Sequence, residues 1–415
     1  MIHSIAVWRI MERTSRKIII TKYNKKIISV VYINGKAYDI DVHLPGEPLL
    51  NSIHAAKVKN IAANIDAAFL EICLQKDGKG KNTKCFYSLK DNKSHLYLDN
   101  ISHEKLKEGD DVLVQIIKES VKAKVPIATS HISLSGIYIV VSVGRGRINF
   151  SSKIKDNEWK QSTAELLSNY LEDGMDLLLR TNAYTADTEL IINEVKKYKA
   201  KLNALLEKAA YRNVPSLLYS SDKSYINLVK KYLNSELIEI LTDLEPVYNE
   251  IRQFVEIQNS TYLTRIRFYN DLLLPLAKLY SIETLISEAL SRKVWLKSGA
   301  YIVIEPTESL TAIDVNTGKR SNKENAQESV RQTNIEAAVE IARQLRLRNI
   351  SGIIVVDFID MLSENDKKEL FEVINGELKK DPLKAAAVDI TALNLIEITR
   401  QKIRKPLHEQ FMLDI

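Results

Sequence analysis

Apolar positions along the chain change period several times, and those changes mark out the elements. Residues 18–20 and 27–33 are apolar and largely β-branched, with a polar Lys25-Lys26 turn between them. Asn34-Gly35 then supplies the strongest short hairpin signal before residues 36–41 return. Gly46-Glu47-Pro48 marks a break. Short strands follow at residues 55–62, 65–73, 85–87 and 112–117, with a lysine-rich loop at 75–84. Such a run of short strands suggests a small Greek-key barrel of the OB type. Residues 137–143 read as another strand, 157–171 as a helix stopped by Gly174, and 176–179 as a strand ending at Arg180-Thr181. Asp187 has the character of an N-cap and opens a long amphipathic helix to about residue 210. Helical periodicity returns at 225–240, 247–255 and 282–292, while 266–274 is apolar and fits either period.

The most informative stretch is 300–361. Strands at 301–305 and 310–316 flank Pro306 and form a hairpin. Alternation puts Leu310, Ala312, Asp314 and Asn316 on one face and Thr311, Ile313 and Val315 on the other. A helix over 322–347, with Val330, Ile341 and Leu345 on one stripe, packs on the sheet. Residues 353–356 are continuously apolar, as in a strand buried on both faces, and Asp357 lies at their end. A strand–helix–strand crossover brings Asp357 beside Asp314. Two converging carboxylates suit Mg²⁺, which prefers oxygen ligands and is commonly held by one or two carboxylates plus substrate phosphate. Asn316 is suited to orient water or a phosphate oxygen. The alternative is structural: Asp314 caps a turn and Asp357 pairs with Arg348 or a lysine. Asp360 is either a companion of the metal ligands or the N-cap of a helix from residue 362.

Composition narrows the partner rather than the fold. The 415 residues carry 59 Lys+Arg and 53 Asp+Glu, a net charge of +6, which permits nucleic-acid binding without requiring it. Arg180 and Thr181 at a strand end before a helix make an anion pocket conceivable, although such pairs are common. In the barrel, Phe69, Phe86, Tyr87 and Lys124 are candidates for stacking bases and tracking phosphates, although the pattern alone favours core aromatics and a lysine on a solvated edge. The two cysteines, Cys73 and Cys85, form no CxxC pair, so a zinc site and a disulfide framework are not expected, and a reducing cytoplasm fits. No signal peptide or membrane span is expected. HExxH and GxSxG motifs are absent, the seven histidines suggest no triad, and Gly318-Lys319 lacks the earlier glycine of a phosphate loop.

Residues 310–316 (LTAIDVN) and 353–361 (IIVVDFIDM) resemble the two metal-site motifs of the bacterial ribonuclease E/G family. Residues 334–348, 132–136, Arg180-Thr181 and 396–402 are similar as well, and the resemblance runs from about 17 to about 405. It implies an α/β multidomain fold: a split ribonuclease H-like domain at 1–48 and 227–290, an OB-fold RNA-binding domain at 49–130, a 5′-sensor region at 131–226, and a deoxyribonuclease I-like catalytic domain at 291–415. It implies Mg²⁺-dependent hydrolysis of single-stranded, often A/U-rich RNA, with 5′-monophosphorylated substrates preferred and 5′-phosphate and 3′-hydroxyl products. On that resemblance Asp314 and Asp357 are the Mg²⁺ ligands, Asn316 is their companion, and Arg180 and Thr181 clamp the 5′-phosphate. Phe69, Phe86 and Lys124 fall at the RNA contacts of the OB domain. The family's CPxC-type motif is missing, so zinc is not expected and a homodimer would lack the zinc link. The chain is nearer the ribonuclease G type in length, or it is a truncated and catalytically silent RNA-binding product. Lys384 and Asp389 stand where relatives often carry Arg and His.

Overall fold

The computed structural model describes residues 15–43, 49–76, 79–99, 105–119, 125–233, 238–258, 260–318 and 326–412. The chain divides into two compact units. One contains the chain up to Val42, Leu241–Asp243 and Tyr269 onward; the other contains His43–Ile240 and Leu244–Phe268.

The first unit opens with the three-stranded meander Arg16–Tyr23, Lys26–Ile33 and Lys36–His43. Asn34 and Gly35 both have positive φ, 49° and 75°, as a two-residue turn that matches strand twist requires. Ile28, Val30 and Ile40 share a core with Ile282 and Ile286 of the helix Ile282–Leu290. The same unit holds a six-stranded mixed sheet. Its order is Lys293–Trp295, Tyr301–Pro306, Leu310–Asn316, Gly352–Asp357, Ile396–Arg400, Ala385–Ile390. Helices Ala326–Leu347 and Glu364–Leu378 bury Ala337, Ile341, Leu345, Leu370 and Ile374 in one core with Ile302, Ile313, Val315, Ile354 and Val356.

That core corrects one expectation. Ile354 and Val356 are fully buried, but Ile353 is 54% exposed, so this strand alternates rather than burying both faces. Two-sided burial belongs to all-parallel sheets, whose crossovers cover both faces. Here Gly352–Asp357 is parallel to Leu310–Asn316 but antiparallel to Ile396–Arg400, and the two helices share a single core on one side.

In the second unit the strands Ile53–Ala62, Ala67–Lys76, Lys79–Ser88, Ile127–Thr129 and Asp111–Lys118 pair in that order. Asp111–Lys118 then pairs back onto Ile53–Ala62, which closes an OB-like barrel and removes its free edges. Val58, Leu70, Ile72, Val112, Val114 and Ile116 fill it. The lysine-rich stretch is mostly strand, not loop: Leu74 pairs with Lys81 and Ile72 with Thr83. Lys81 and Lys84 of this stretch are exposed, so the backbone pairing there continues without a core to fill. Residues 225–240 also divide, into the helix Ser224–Tyr232 and the strand Ile238–Thr242, whose Ile238 and Ile240 are buried. A four-stranded sheet, Ile148–Phe150, Met175–Leu179, Ile139–Val143 and Ser133–Ser135, meets the helix Thr188–Ala209, which Asp187 caps as expected. Cys73 and Cys85 are both free thiols. Among the described residues no helix is long and apolar enough to cross a membrane.

The barrel carries a built-in acid sensitivity. His54 is 1% exposed, with Nε2 2.8 Å from the Ser52 hydroxyl. Burial pushes its imidazole down to about 4, against a smaller opposing effect from the backbone of Cys73. The unfolded chain therefore takes up a proton first as pH falls, so stability is full above about 6.5 and is lost progressively toward about 4. Amide exchange in the barrel strands is expected to accelerate between pH 7 and 4.5, after correction for intrinsic rates, and a His54→Leu variant should flatten that dependence. An equally steep profile in the variant would assign the effect to other groups.

Candidate functional site

Asp314 and Asp357 are direct partners on neighbouring parallel strands, as the crossover pattern predicts. Thr311, Ile313 and Val315 point into the core, while Ala312 and Asp314 face out. Asn316 Nδ2 donates to Asp314 Oδ2 at 2.6 Å, which fixes that carboxylate's orientation and leaves its other oxygen available. Asp357 is held above the usual carboxylate range, first by partial desolvation and then by the negative charges of Asp314 and Asp360. Among the described residues neither carboxylate of the pair has a Lys or Arg salt-bridge partner, and Arg348 instead bonds Gln344 and the carbonyls of Ser291 and Glu288. A concentrated negative charge with no counter-ion among the described residues is the environment a divalent cation relieves. No group of three or more His, Cys, Asp or Glu converges among the described residues, which leaves two carboxylates, the usual complement for Mg²⁺. Asp360 is not a helix cap: that role belongs to Ser363, which accepts from Asp366 N.

Two residues that sequence reasoning did not single out hold this site in shape. Asn334 is fully buried and makes a reciprocal pair with Ile359: Nδ2 donates to Ile359 O at 2.8 Å and Oδ1 accepts from Ile359 N at 3.1 Å. It thus pins the loop after Asp357 to the crossover helix. Glu336, on the same helix, accepts from the backbone of Lys297 and Ser298. Gly318 has φ +69°, and a Cβ there would meet Gly299 O at 2.5 Å, so the chain leaving Asn316 passes the neighbouring turn at a distance only glycine allows. The resemblance over 334–348 contains Asn334 and Glu336 but gives neither a role, and an Asn among the apolar positions of that helix is the further signal available for Asn334.

In the second unit, Arg180 and Gly136, from two of the motifs noted in the sequence, come together: the guanidinium donates to the Gly136 carbonyl. Burial lowers the Arg180 pKa and the nearby Glu194 opposes that effect. Glu194 is 3% exposed and accepts from the amides of Ile137, Tyr138 and Ile139, so it fixes the turn on which Gly136 sits. Thr181 is exposed, with its hydroxyl 3.0 Å from that of Ser151. On the barrel, Phe69 and Phe86 are cross-strand partners, half-buried, with ring centroids 5.9 Å apart in an edge-to-face arrangement. Tyr87 belongs to the core instead: it is 1% exposed and its hydroxyl lies 2.8 Å from His95 Nδ1, since the next residue along a strand faces the opposite side. Lys124 lies outside the described residues.

Comparison with known proteins identifies the family of the chain. The Ribonuclease E/G family profile matches residues 133–403. A ribonuclease E of Nostoc sp. is 32% identical over 400 residues, 95% of this chain and 57% of that protein. A ribonuclease E/G-like protein of Pyropia yezoensis is 34% identical over 367 residues, 87% of this chain and 70% of that one. Ribonuclease G of Escherichia coli K12 is 27% identical over 387 residues, 91% and 78% of the two chains. The chain spans only 57% of the Nostoc ribonuclease E and 42% of its Haemophilus influenzae counterpart. With the family profile covering well over half of the chain, this protein belongs to the ribonuclease E/G family.

Proposed function

We propose that this protein is an Mg²⁺-dependent endoribonuclease that hydrolyses single-stranded, A/U-rich RNA, leaving 5′-phosphate and 3′-hydroxyl ends. The observation that carries this reading is the in-register pair Asp314 and Asp357, without a salt-bridge partner among the described residues, inside the region matched to the family. In this reading both carboxylates hold Mg²⁺, which when bound supplies charge stabilisation at a phosphodiester and a more acidic water. Asn316 orients Asp314 and offers its amide to water or a phosphate oxygen. Asn334 keeps the Asp357 loop in place, and Asp360 adds negative charge that strengthens cation binding. The finer layout, with ribonuclease H-like, 5′-sensor and deoxyribonuclease I-like parts, belongs to the same proposal. So do action in rRNA and tRNA processing and mRNA decay, and a cytoplasmic location.

Phe69 and Phe86 serve as a stacking platform for bases, and Arg180 with Thr181 as the contact for a 5′-monophosphate. In the Arg180→Ala variant, cleavage of a short 5′-monophosphorylated RNA is expected to fall roughly tenfold, about the worth of one charge-assisted hydrogen bond. Cleavage of the 5′-hydroxyl version should stay within about twofold. Paired single-turnover rates on the two oligonucleotides provide the check. Equal losses on both would remove the sensor role and leave the nuclease reading intact. Absence of cleavage by the wild-type chain in Mg²⁺ would overturn the nuclease reading itself.

A further inference from the structure

The sheet that carries Asp314 ends in an edge strand, Lys293–Trp295, whose side chains do not fit a purely structural account. Val294 packs against the core and Leu296 is buried, but Trp295 turns outward and is 64% exposed. A tryptophan left in water forgoes a large favourable burial. Its direct cross-strand partner is Tyr301, with ring centroids 5.3 Å apart. The direct partner of Tyr301 on the next strand is Asn316, the residue that donates to Asp314. Direct partners share a sheet face. Trp295, Tyr301, Asn316 and Asp314 therefore lie on one surface, and adjacent strands place the aromatic pair about 10 Å from the carboxylate. Lys293 brings a positive charge to the same spot: its Nζ sits 4.0 Å from the Trp295 ring centroid and 3.6 Å from that of Tyr301.

An exposed tryptophan ring, backed by a half-buried tyrosine and with an ammonium beside both, matches one ligand chemistry closely: an unpaired nucleobase on the ring and its phosphate on the cation. The acidic face beside them would repel a polyanion unless a cation and such a positively charged foothold offset it. We infer that Trp295, supported by Tyr301 and Lys293, is a base-stacking subsite that holds a single-stranded RNA nucleotide close to the acidic pair. This rests on the nuclease reading for what happens next, but not for binding. The subsite is read from side-chain placement in this chain and is separate from the aromatic pair on the barrel.

The test uses the full chain and a fluorescein-labelled, ten-nucleotide A/U-rich RNA, with affinity read by anisotropy in EDTA so that no cleavage intervenes. Trp295→Ala is expected to weaken binding about tenfold, and Trp295→Phe to stay within about threefold of wild type. In a series of RNAs with one abasic site moved along the strand, one position should reproduce in the wild type the loss caused by Trp295→Ala and cost nothing more in that variant. Unchanged affinity in Trp295→Ala, or additive losses at every abasic position, would overturn the subsite. So would a fall in hydrodynamic mass of Trp295→Ala at unchanged RNA affinity, which would assign the patch to a protein interface. A wild-type chain that binds this RNA in EDTA yet never cuts it in Mg²⁺ removes the nuclease reading while the abasic series still decides the subsite. A wild-type chain that does not bind it in EDTA removes the subsite, and cleavage in Mg²⁺ then decides the nuclease reading separately.

Discussion

Asp357→Asn and Asp314→Asn are each expected to reduce Mg²⁺-dependent RNA cleavage on the order of a thousandfold, the scale of losing a group that stabilises developing charge. RNA affinity measured in EDTA should hold or rise, because each variant removes a negative charge from a surface that meets phosphates. The two effects separate chemistry from binding. Asp357→Asn should also relieve the partial desolvation, and with it the repulsion from Asp314 and Asp360, that keep this carboxyl high, so the metal-free protein should be no less stable than wild type. Mg²⁺ titration by calorimetry gives a readout independent of turnover: heat of binding should be present in the wild type and lost in both variants. Wild-type cleavage rates in the two variants would place the metal site elsewhere. A wild-type chain that binds RNA, with steep salt dependence, and never cleaves it would instead indicate a silent RNA-binding member of the family.

The largest effect on stability is expected at Arg400. This side chain is 5% exposed and sits at the end of the strand Ile396–Arg400. Its Nε donates to Asp381 Oδ2 at 2.9 Å, and the guanidinium also donates to Asn349 Oδ1 and to the Ile350 carbonyl, each at 3.0 Å. Asp381 is itself 6% exposed. Arg400→Ala leaves the buried Asp381 carboxylate without its counter-charge, with only the Leu383 amide still donating to it, and the Asn349 and Ile350 oxygens without this donor, at a cost of about 3–5 kcal/mol. Removing both charges, in Arg400→Met with Asp381→Leu, should cost much less, since no uncompensated charge remains. Arg400→Lys should not rescue, because an ammonium lacks the planar fork that reaches three partners. With two compact units a single unfolding midpoint is not assured, so the measurement is hydrogen exchange of the amides in Gly352–Asp357 and Ile396–Arg400. These strands are paired, so their amides should lose protection together in Arg400→Ala. Retained protection would show that the ion pair contributes little net stability.

Much of the candidate site is legible in the amino-acid sequence. Alternation within the strand Leu310–Asn316 depends on nearest neighbours along the chain, and the inward set Ile313 and Val315 defines the outward set Asp314 and Asn316 without reference to anything distant. The length of the helical segment between the strands forces a crossover, and a crossover between parallel neighbours brings the two strand ends together. Asp187 as a cap and Asn34-Gly35 as a turn are likewise local, since each residue satisfies or adopts a backbone state within a few positions.

Other features depend on which segments meet. Phe69 and Phe86 share an outer face while Tyr87 is core, a distinction set by barrel closure rather than by the apolar run they sit in. One-sided burial of Gly352–Asp357 follows from a mixed sheet with one parallel and one antiparallel neighbour, which no single strand's composition reveals. Asn334 reaching Ile359, Arg400 meeting Asp381 and Trp295 standing in line with Tyr301 and Asn316 are pairings across 25, 19 and 6 or more residues of chain. The order of residues is thus enough to say which side chains face outward and that two acids end neighbouring strands, because side-chain alternation and crossover geometry are short-range properties of the backbone. Which buried polar groups hold those acids in place, and which aromatic row lies beside them, emerges only from the folded chain, because cross-strand register joins segments whose sequences carry no local record of each other.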